Sequence, residues 1–508
     1  MVNTEFIETL QQREQFREFY WKKRDPIVKD RLLWRAQTFR HLTHLLPGQS
    51  ILELGCGSGL FTKQLYRVSK GENPITAATF LEHVSEQDKS LPVEFVSLSS
   101  FPGQLSNRKY ANIIVMDLHD RKNSSWFLEC IHTLLEPGGQ VIFYESNPNN
   151  PFLNARKVFN KFTGKTDFRT LLNRSDLKSS LENSGFINIS AVYNDFVYAP
   201  LTPKGVWVLR NLSILLENLS LVKSLAGAIL IHAQKPPQEV VLPNMCLCNH
   251  KELIGAISVV VPCHNEEMNL QPLVTRLLGF YGDYLHEIVL VDDNSKDNTK
   301  AVIAQLAAEY PLVKPVYRTP PNGVGRAIRD GYKAATGEYI LSMDCDFQHL
   351  LPELRDMFDA AVKGYDVVIG SRFSRRSVLL NYPFQKIMAN RGFHFLARFI
   401  LRRKFRDLTN NLKLIRKEVL DNLQLTQNDF AINAETGLMP MLMGYKVREV
   451  PISWINRTPD MGVSSFRLFK VGGGYWKVLY QLWLKKNFHS KSYYPNIKLK
   501  EIDKVRLP

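Results

Sequence analysis

Short apolar runs alternate with longer amphipathic stretches along both halves of the chain. Ile51-Leu-Glu-Leu54, Ile75-Thr-Ala-Ala-Thr79, Ile257-Ser-Val-Val-Val261, Glu287-Ile-Val-Leu-Val291 and Tyr339-Ile-Leu-Ser-Met343 read as strands buried on both faces. Strands alternating with helical patterns predict an α/β fold with mostly parallel sheets. The pattern lapses over residues 234–255, where Lys235-Pro-Pro237 and Pro243 interrupt any periodicity. A chain of 508 residues is long for one domain. The expected division is a first domain over 1–233, a linker over 234–255, a second domain over 256–485 and a tail over 486–508. No internal repeat or low-complexity segment is visible.

Three consecutive strands of the second half end on acids. The first runs into Pro262-Cys-His-Asn265-Glu266, the second into Asp292-Asp293, the third into Asp344-Cys-Asp346-Phe-Gln348. Strand carboxyl ends in an open parallel sheet share one ligand crevice, so these acids are expected along one edge. Residues two apart on an extended chain point the same way, which brings Asp344, Asp346 and the Gln348 amide towards one point. Oxygen-only ligands suit Mg²⁺ or Mn²⁺ holding substrate phosphates. The plainer alternative is a loop with two solvated acids.

Charge sharpens this picture. Residues 251–508 carry 37 basic and 26 acidic side chains, against 28 and 23 in residues 1–250. A basic second half suits nucleotides, lipid phosphates or an anionic membrane surface. No helix-turn-helix, zinc-finger or RNA-binding pattern supports nucleic acid as a partner. Six cysteines form no disulfide framework, and Cys246, Cys248 and His250 read as a linker coincidence rather than a zinc site. The N-terminus lacks a basic-then-apolar signal pattern, and no run reaches the ~20 apolar residues of a spanning helix. A cytoplasmic, peripheral membrane protein is expected.

Ile51-Leu-Glu53-Leu-Gly55-Cys-Gly57-Ser-Gly59 is a strand entering a glycine-rich turn and then a helix. With Leu134-Leu-Glu-Pro-Gly-Gly-Gln-Val-Ile-Phe143 and Asn147-Pro-Asn-Asn-Pro151, it resembles the class I S-adenosylmethionine-dependent methyltransferases over roughly residues 30–235. The resemblance implies a Rossmann-like fold with S-adenosylmethionine held by Glu53, Gly55, Gly57 and Gly59. The chain departs from the family at three places. The second strand ends on Thr79 where an acid usually holds the cofactor's ribose, with Glu82 the nearest carboxylate. Val96-Ser-Leu-Ser-Ser100 lacks the usual acid, and Asn112 replaces an Asp. An active methyltransferase and a silent docking module for glycan-pathway proteins both remain open.

The acid-ended strands of the second half continue into Asn322-Gly-Val-Gly-Arg-Ala-Ile-Arg-Asp-Gly331, Val367-Val-Ile-Gly-Ser-Arg372, Asp407-Leu-Thr-Asn-Asn411 and Val450-Pro-Ile-Ser-Trp-Ile-Asn-Arg457. In this order the blocks resemble family-2 glycosyltransferases of GT-A fold, and most of all their dolichyl-phosphate mannosyltransferase branch. The resemblance implies an enzyme that moves a sugar, with inversion, from a nucleotide sugar to a polyprenyl phosphate. It assigns the divalent cation (Mg or Mn) to Asp344, Asp346 and Gln348. Pro262, Asn265, Glu266, Asp292 and Asp293 would meet the nucleotide sugar, and Arg457 a phosphate. Asn411 stands where the branch has Gly or Ser. A glycan or protein hydroxyl is the alternative acceptor, with Asp429 or Glu435 as base, and a bifunctional methyltransferase/glycosyltransferase is a further alternative.

Residues 372–406 hold ten Lys or Arg and no acid, interleaved with Phe and Tyr. Such a segment can lie in the headgroup plane, rings inward. Arg372, Lys386 and Arg391 are the expected ligands of the acceptor phosphate. An ordinary basic helix packing its Phe stripe on the core is the alternative.

Overall fold

The computed structural model describes residues 2–21, 25–81, 91–119, 121, 124–162, 171–198, 202–237, 249–346, 351–374, 376–380, 382–455 and 468–488. The chain divides into two compact units, Met1–Val241 with Leu380–Phe384, and Leu242–Leu379 with Gln385–Pro508.

The first unit is built on a seven-stranded sheet. Its strands are β1 (Ile51–Leu54), β2 (Ile75–Thr79), β3 (Glu94–Ser97), β4 (Tyr110–Met116), β5 (Leu135–Ser146), β6 (Ile187–Asn194) and β7 (Ala228–Gln234), in the order β3-β2-β1-β4-β5-β7-β6. β1 to β5 pair parallel, while β7 runs antiparallel to both β5 and β6. Every residue of β1 and β2 is buried, as expected of strands covered on both faces. Helix Val2–Trp21 sends Phe6 and Leu10 into the same core as Leu52, Leu54, Val115 and Phe143.

The second unit holds β8 (Ile257–Cys263), β9 (Leu285–Asp292), β10 (Val313–Tyr317), β11 (Tyr339–Ser342), β12 (Val367–Ser371), β14 (Lys413–Arg416) and β15 (Val447–Pro451); the short β13 (Val378–Leu380) and β16 (Ser453–Ile455) form a two-stranded sheet. The main order is β10-β9-β8-β11-β14-β12-β15. β8, β9, β10 and β11 are mutually parallel, and β14 inserts antiparallel between β11 and β12. Parallel β8, β9 and β11 therefore open their carboxyl ends on one edge. Both units are α/β, the first a Rossmann-like methyltransferase fold and the second a GT-A fold.

Candidate active site

On the second unit's edge, Cys263 is in register with Asp292, and Val260 with Ser342, so the residues that follow emerge side by side. Asn265 adopts a left-handed φ of 58°. Its backbone N–H donates to Ser295 Oγ (3.0 Å) and its Oδ1 accepts from Lys296 N (2.8 Å). The Glu266 N–H donates to Thr299 Oγ1 at 2.8 Å, and its Oε2 accepts from Asn269 at 2.6 Å. Asp292 is buried and accepts from Ser295 N at 3.1 Å. These contacts tie the turns after β8 and β9 into one polar wall, with Pro262 at the end of β8 beside them.

Asp293 is committed inside that wall. Arg318 pairs with one carboxylate oxygen, and Gly323 N donates to the other at 2.7 Å. Arg318 also bonds Asp330 at 2.7 Å, so one guanidinium joins the β9 turn to helix Val324–Ala334. Gly323 must lack a side chain, because a Cβ there would lie 2.4 Å from Asn428 O. Nothing in the sequence patterns singled out Arg318.

Asp344 follows β11 and is held by Asn411, whose Nδ2 donates to Asp344 Oδ1 at 2.7 Å. The Asn411 Oδ1 accepts from Ser342 Oγ at 2.8 Å, so its amide can point only one way. The departure at Asn411 is thus a built contact, its amide accepting from Ser342 and donating to Asp344 at once. Beneath it, Lys413 on β14 is fully buried; its ammonium bonds the carbonyls of Asn410 and Asn433, and burial lowers its pKa to about 7. Cys345 Sγ lies 3.5 Å from Cys263 Sγ, both buried as free thiols. Gln348 and Arg457 lie outside the described residues. Among the described residues, no group of three or more His, Cys, Asp or Glu side chains gathers as a metal cage. Asp344 and Asp346 are carboxylate oxygen donors at the end of β11, a donor type that fits a hard cation filling its remaining positions with substrate oxygens.

Arg372, expected at the acceptor phosphate, has a different place. Its guanidinium forks onto Asp407, Nε to Oδ2 at 2.8 Å and Nη2 to Oδ1 at 2.9 Å, while its backbone N–H donates to Oδ2 at 2.9 Å. Arg372 is 8% exposed and Asp407 0%. Burial favours the neutral acid, yet the Arg372 charge and hydrogen bonds outweigh it and hold Asp407 well below the usual carboxylate range. Lys386 and Arg391 both lie on helix Phe384–Leu401, with the Arg391 guanidinium 5.5 Å over the Phe373 ring. That helix divides its rings. Phe393 packs on the core and Phe405 beyond it is buried, whereas Met388, Phe395 and Phe399 face outward. Helix Leu468–Phe488 packs alongside through Tyr475 and Trp476 on Phe393, and exposes Trp476, Tyr480 and Trp483. Those three aromatics were missed in the sequence, although 476, 480 and 483 are spaced for one helical face.

In the first unit, Gly55, Gly57 and Gly59 all take left-handed φ values in the turn after β1. Glu53 is fully buried on β1; its Oε2 accepts from Thr62 Oγ1 at 2.7 Å, and burial pushes its pKa up to about 8. Glu82 lies outside the described residues. Thr79 at the end of β2 meets an acid the sequence reading did not consider, with its Oγ1 donating to Glu14 Oε1 at 2.7 Å.

The acid-lined edge belongs to a glycosyltransferase fold, and the comparisons with known proteins agree. Residues 258–424 match Glycosyl transferase family 2, and residues 20–191 match a Methyltransferase domain. The dolichol-phosphate mannosyltransferase of Pyrococcus furiosus is 32% identical over 203 residues, 39% of this chain and 56% of that protein. The polyprenol monophosphomannose synthase of Mycolicibacterium smegmatis is 30% identical over 218 residues, 41% of this chain and 79% of that protein. A crystal structure of glucosyl-3-phosphoglycerate synthase from Mycobacterium tuberculosis with Mn²⁺, uridine diphosphate and phosphoglyceric acid is 17% identical, covering 48% of this chain and 87% of that one at a TM-score of 0.35. The chain belongs to glycosyl transferase family 2 and carries a methyltransferase domain ahead of it. It spans just over half the length of the Pyrococcus relative.

Proposed function

We propose that the second unit transfers a sugar from a nucleotide-sugar donor to a polyprenyl phosphate at a membrane surface, with a divalent cation on the donor diphosphate. The observation that carries this reading is the shared carboxyl edge of β8, β9 and β11, with Asp292 and Asp344 at its strand ends and Asn411 orienting Asp344. The names of the two mannosyltransferase relatives supply the acceptor class.

In this reading Pro262, Asn265, Glu266 and Asp292 line the nucleoside place, and Asp293 keeps that wall in shape through Arg318. Asp344 and Asp346, with Gln348 in the same motif, would hold Mg²⁺ or Mn²⁺. The cation supplies charge neutralisation on the departing diphosphate. An acceptor phosphate oxygen attacks the anomeric carbon as the bond to the donor's phosphate oxygen breaks, with inversion. A phosphate monoester, with its second pKa near ~6, is already dianionic at neutral pH, so no proton has to move. A hydroxyl acceptor would need a base. Glu435 is buried and accepts from Thr426 N (2.9 Å), Thr426 Oγ1 (2.6 Å) and Gln427 N (3.0 Å), while Asp429 accepts from Ala431 N at 2.8 Å. Both act as loop anchors, which favours the phosphate acceptor.

Lys386, Arg391 and Arg457 are the cations for the acceptor and diphosphate. The exposed rings of helices Phe384–Leu401 and Leu468–Phe488, flanked by exposed Arg402, Arg403 and Lys404, form the face for an anionic bilayer. No helix among the described residues is long and apolar enough to cross a membrane. The test is the purified chain with a panel of labelled nucleotide sugars and a short polyprenyl phosphate, with and without chelator. Metal-dependent lipid-linked product that Asp346→Asn abolishes supports the reading. Product only on sugar or peptide hydroxyls, or undiminished product in excess chelator, overturns it.

A further inference from the structure

The residues around the glycine-rich turn of the first unit do not fit S-adenosylmethionine as they stand. Helix Val2–Trp21 lays Glu14, Arg17 and Glu18 into that turn, all three at 5% exposure or less. Glu14 Oε1 accepts from Gly57 N at 2.6 Å and from the Thr79 hydroxyl, and its Oε2 accepts from Phe80 N at 2.7 Å. Arg17 donates to the carbonyls of Gly55 and Met116 (2.6 Å to the latter). Glu18 Oε2 accepts from Ser58 Oγ at 2.5 Å, and its carboxylate fills the space above Gly57, where a Cβ would lie 2.3 Å from Glu18 Oε1. Glycines at such a turn let a ligand approach the backbone closely, and strand-end N–H groups serve a ligand's oxygens. Here the chain's own helix takes both. It presents a cation to the turn's carbonyls and an anion to its N–H groups, the two charges an amino-acid-bearing nucleoside would bring.

The fit is imperfect. Glu18 Oε1, Arg17 Nε and Glu53 Oε1 are buried with no hydrogen-bond partner among the described residues. Buried polar atoms left without partners oppose the arrangement that strands them. The pattern is that of a displaceable substitute in a polar cleft.

We propose that the first helix is an intramolecular occupant of the cofactor cleft, so that helix and S-adenosylmethionine compete for one place and the methyltransferase domain is held closed by Glu14, Arg17 and Glu18. This inference is independent of what the second unit transfers. The rival is that Glu14 supplies the ribose carboxylate missing at Thr79, and the two readings predict opposite signs for one substitution.

The experiment is equilibrium dialysis of the full chain against labelled S-adenosylmethionine, with melting temperature read in parallel. The wild type is expected to show no saturable binding and no thermal shift. Glu14→Ala with Glu18→Ala is expected to bind saturably, with a Kd at least about tenfold below the lower limit set for wild type, because affinity scales with the open fraction. Glu14→Gln keeps the side chain's shape but sets an amide against Phe80 N–H, and serves if the double variant folds poorly; it is expected to fall between. Wild-type binding that Glu14→Ala abolishes overturns the proposal in favour of a ribose-binding Glu14. A folded double variant that still does not bind also overturns it, since the cleft is then lost rather than filled.

Discussion

Arg372→Ala separates a side chain that binds substrate from one that holds the fold. The structure gives Arg372 three charge-assisted hydrogen bonds to Asp407, whose carboxylate is fully buried. Truncation leaves one of them, from the backbone N–H, and a buried carboxylate without its guanidinium. Breaking such a pair costs about 3–5 kcal/mol, against at most about 0.5 for an exposed arginine. For a unit of this size that is a fall in Tm of roughly 6–20 °C. Asp407→Asn should cost less, because it removes the burial penalty of the charge together with the attraction. The double variant Arg372→Met, Asp407→Leu should recover much of the loss, as apolar replacements of buried pairs do. Acid sensitivity is the second readout. Asp407 titrates lower in the folded than in the unfolded chain. Its contribution is therefore complete above the unfolded value of about 3.9 and lost as pH falls through the folded one. Wild type should lose stability on that acid limb more steeply than Arg372→Ala. Urea melts across pH, run beside acceptor titrations, decide the matter. If Arg372→Ala melts within a degree or two of wild type while the acceptor KM climbs, the structural role is refuted and the guanidinium belongs to the acceptor phosphate.

Asn411→Ala should raise the Mg²⁺ or Mn²⁺ concentration for half-maximal transfer by about 10–100-fold, the usual effect of removing a group that orients a metal ligand; unchanged metal titration would remove Asn411 from the site. The two units should respond oppositely to pH in hydrogen exchange. Glu53, at about 8, holds a proton that the unfolded chain has released, so the first unit weakens as pH rises from about 4.5 to 8. Lys413, at about 7, has lost one the unfolded chain keeps, so the second unit strengthens from about 7 to 10. Each slope is at most about 1.4 kcal/mol per pH unit; a first unit that strengthens over its window contradicts the Glu53 assignment, and a second unit that weakens over its window contradicts that of Lys413. Phe395→Ser with Phe399→Ser and Trp476→Ser should weaken binding to anionic vesicles at least about tenfold while leaving transfer to detergent-solubilised acceptor within twofold, given about 1.5–3 kcal/mol per large buried ring; vesicle binding like wild type would dismiss that face.

Strand positions and the acid edge were legible because they depend on local pattern: β-branched runs, turn residues and carboxylates at fixed offsets. What the pattern could not carry is partnership across sequence distance. Arg372 and Asp407 both stood in recognisable blocks, but nothing local says that one forks onto the other across 35 positions. Asn411 was noticed as a departure, yet its purpose needs Ser342 and Asp344 on either side of it. Glu14 was invisible for the same reason, since 65 residues separate it from Thr79. The one available cue was a helix whose charged pairs at 13–14 and 17–18 repeat at a one-turn interval, which ordinarily marks a solvated face. Burial inverted that reading.

Which partner meets each acid distinguishes structure from chemistry here. Asp293 and Asp407 are met by guanidinium groups, which neutralise them and fix loops in place. Glu14 is met by backbone N–H groups and a hydroxyl, the donors a cofactor would have used. Asp344 is met by the amide of Asn411, a neutral donor that orients a carboxylate without cancelling its charge. An arginine at 411 would lower the carboxylate's pKa as well, but it would also repel any cation brought to the same oxygens. A Gly would leave the carboxylate without this partner. An asparagine with its own oxygen anchored by Ser342 restricts the side chain without adding a positive charge beside it, which is what a carboxylate needs if its final partner is an incoming metal ion rather than another part of the chain.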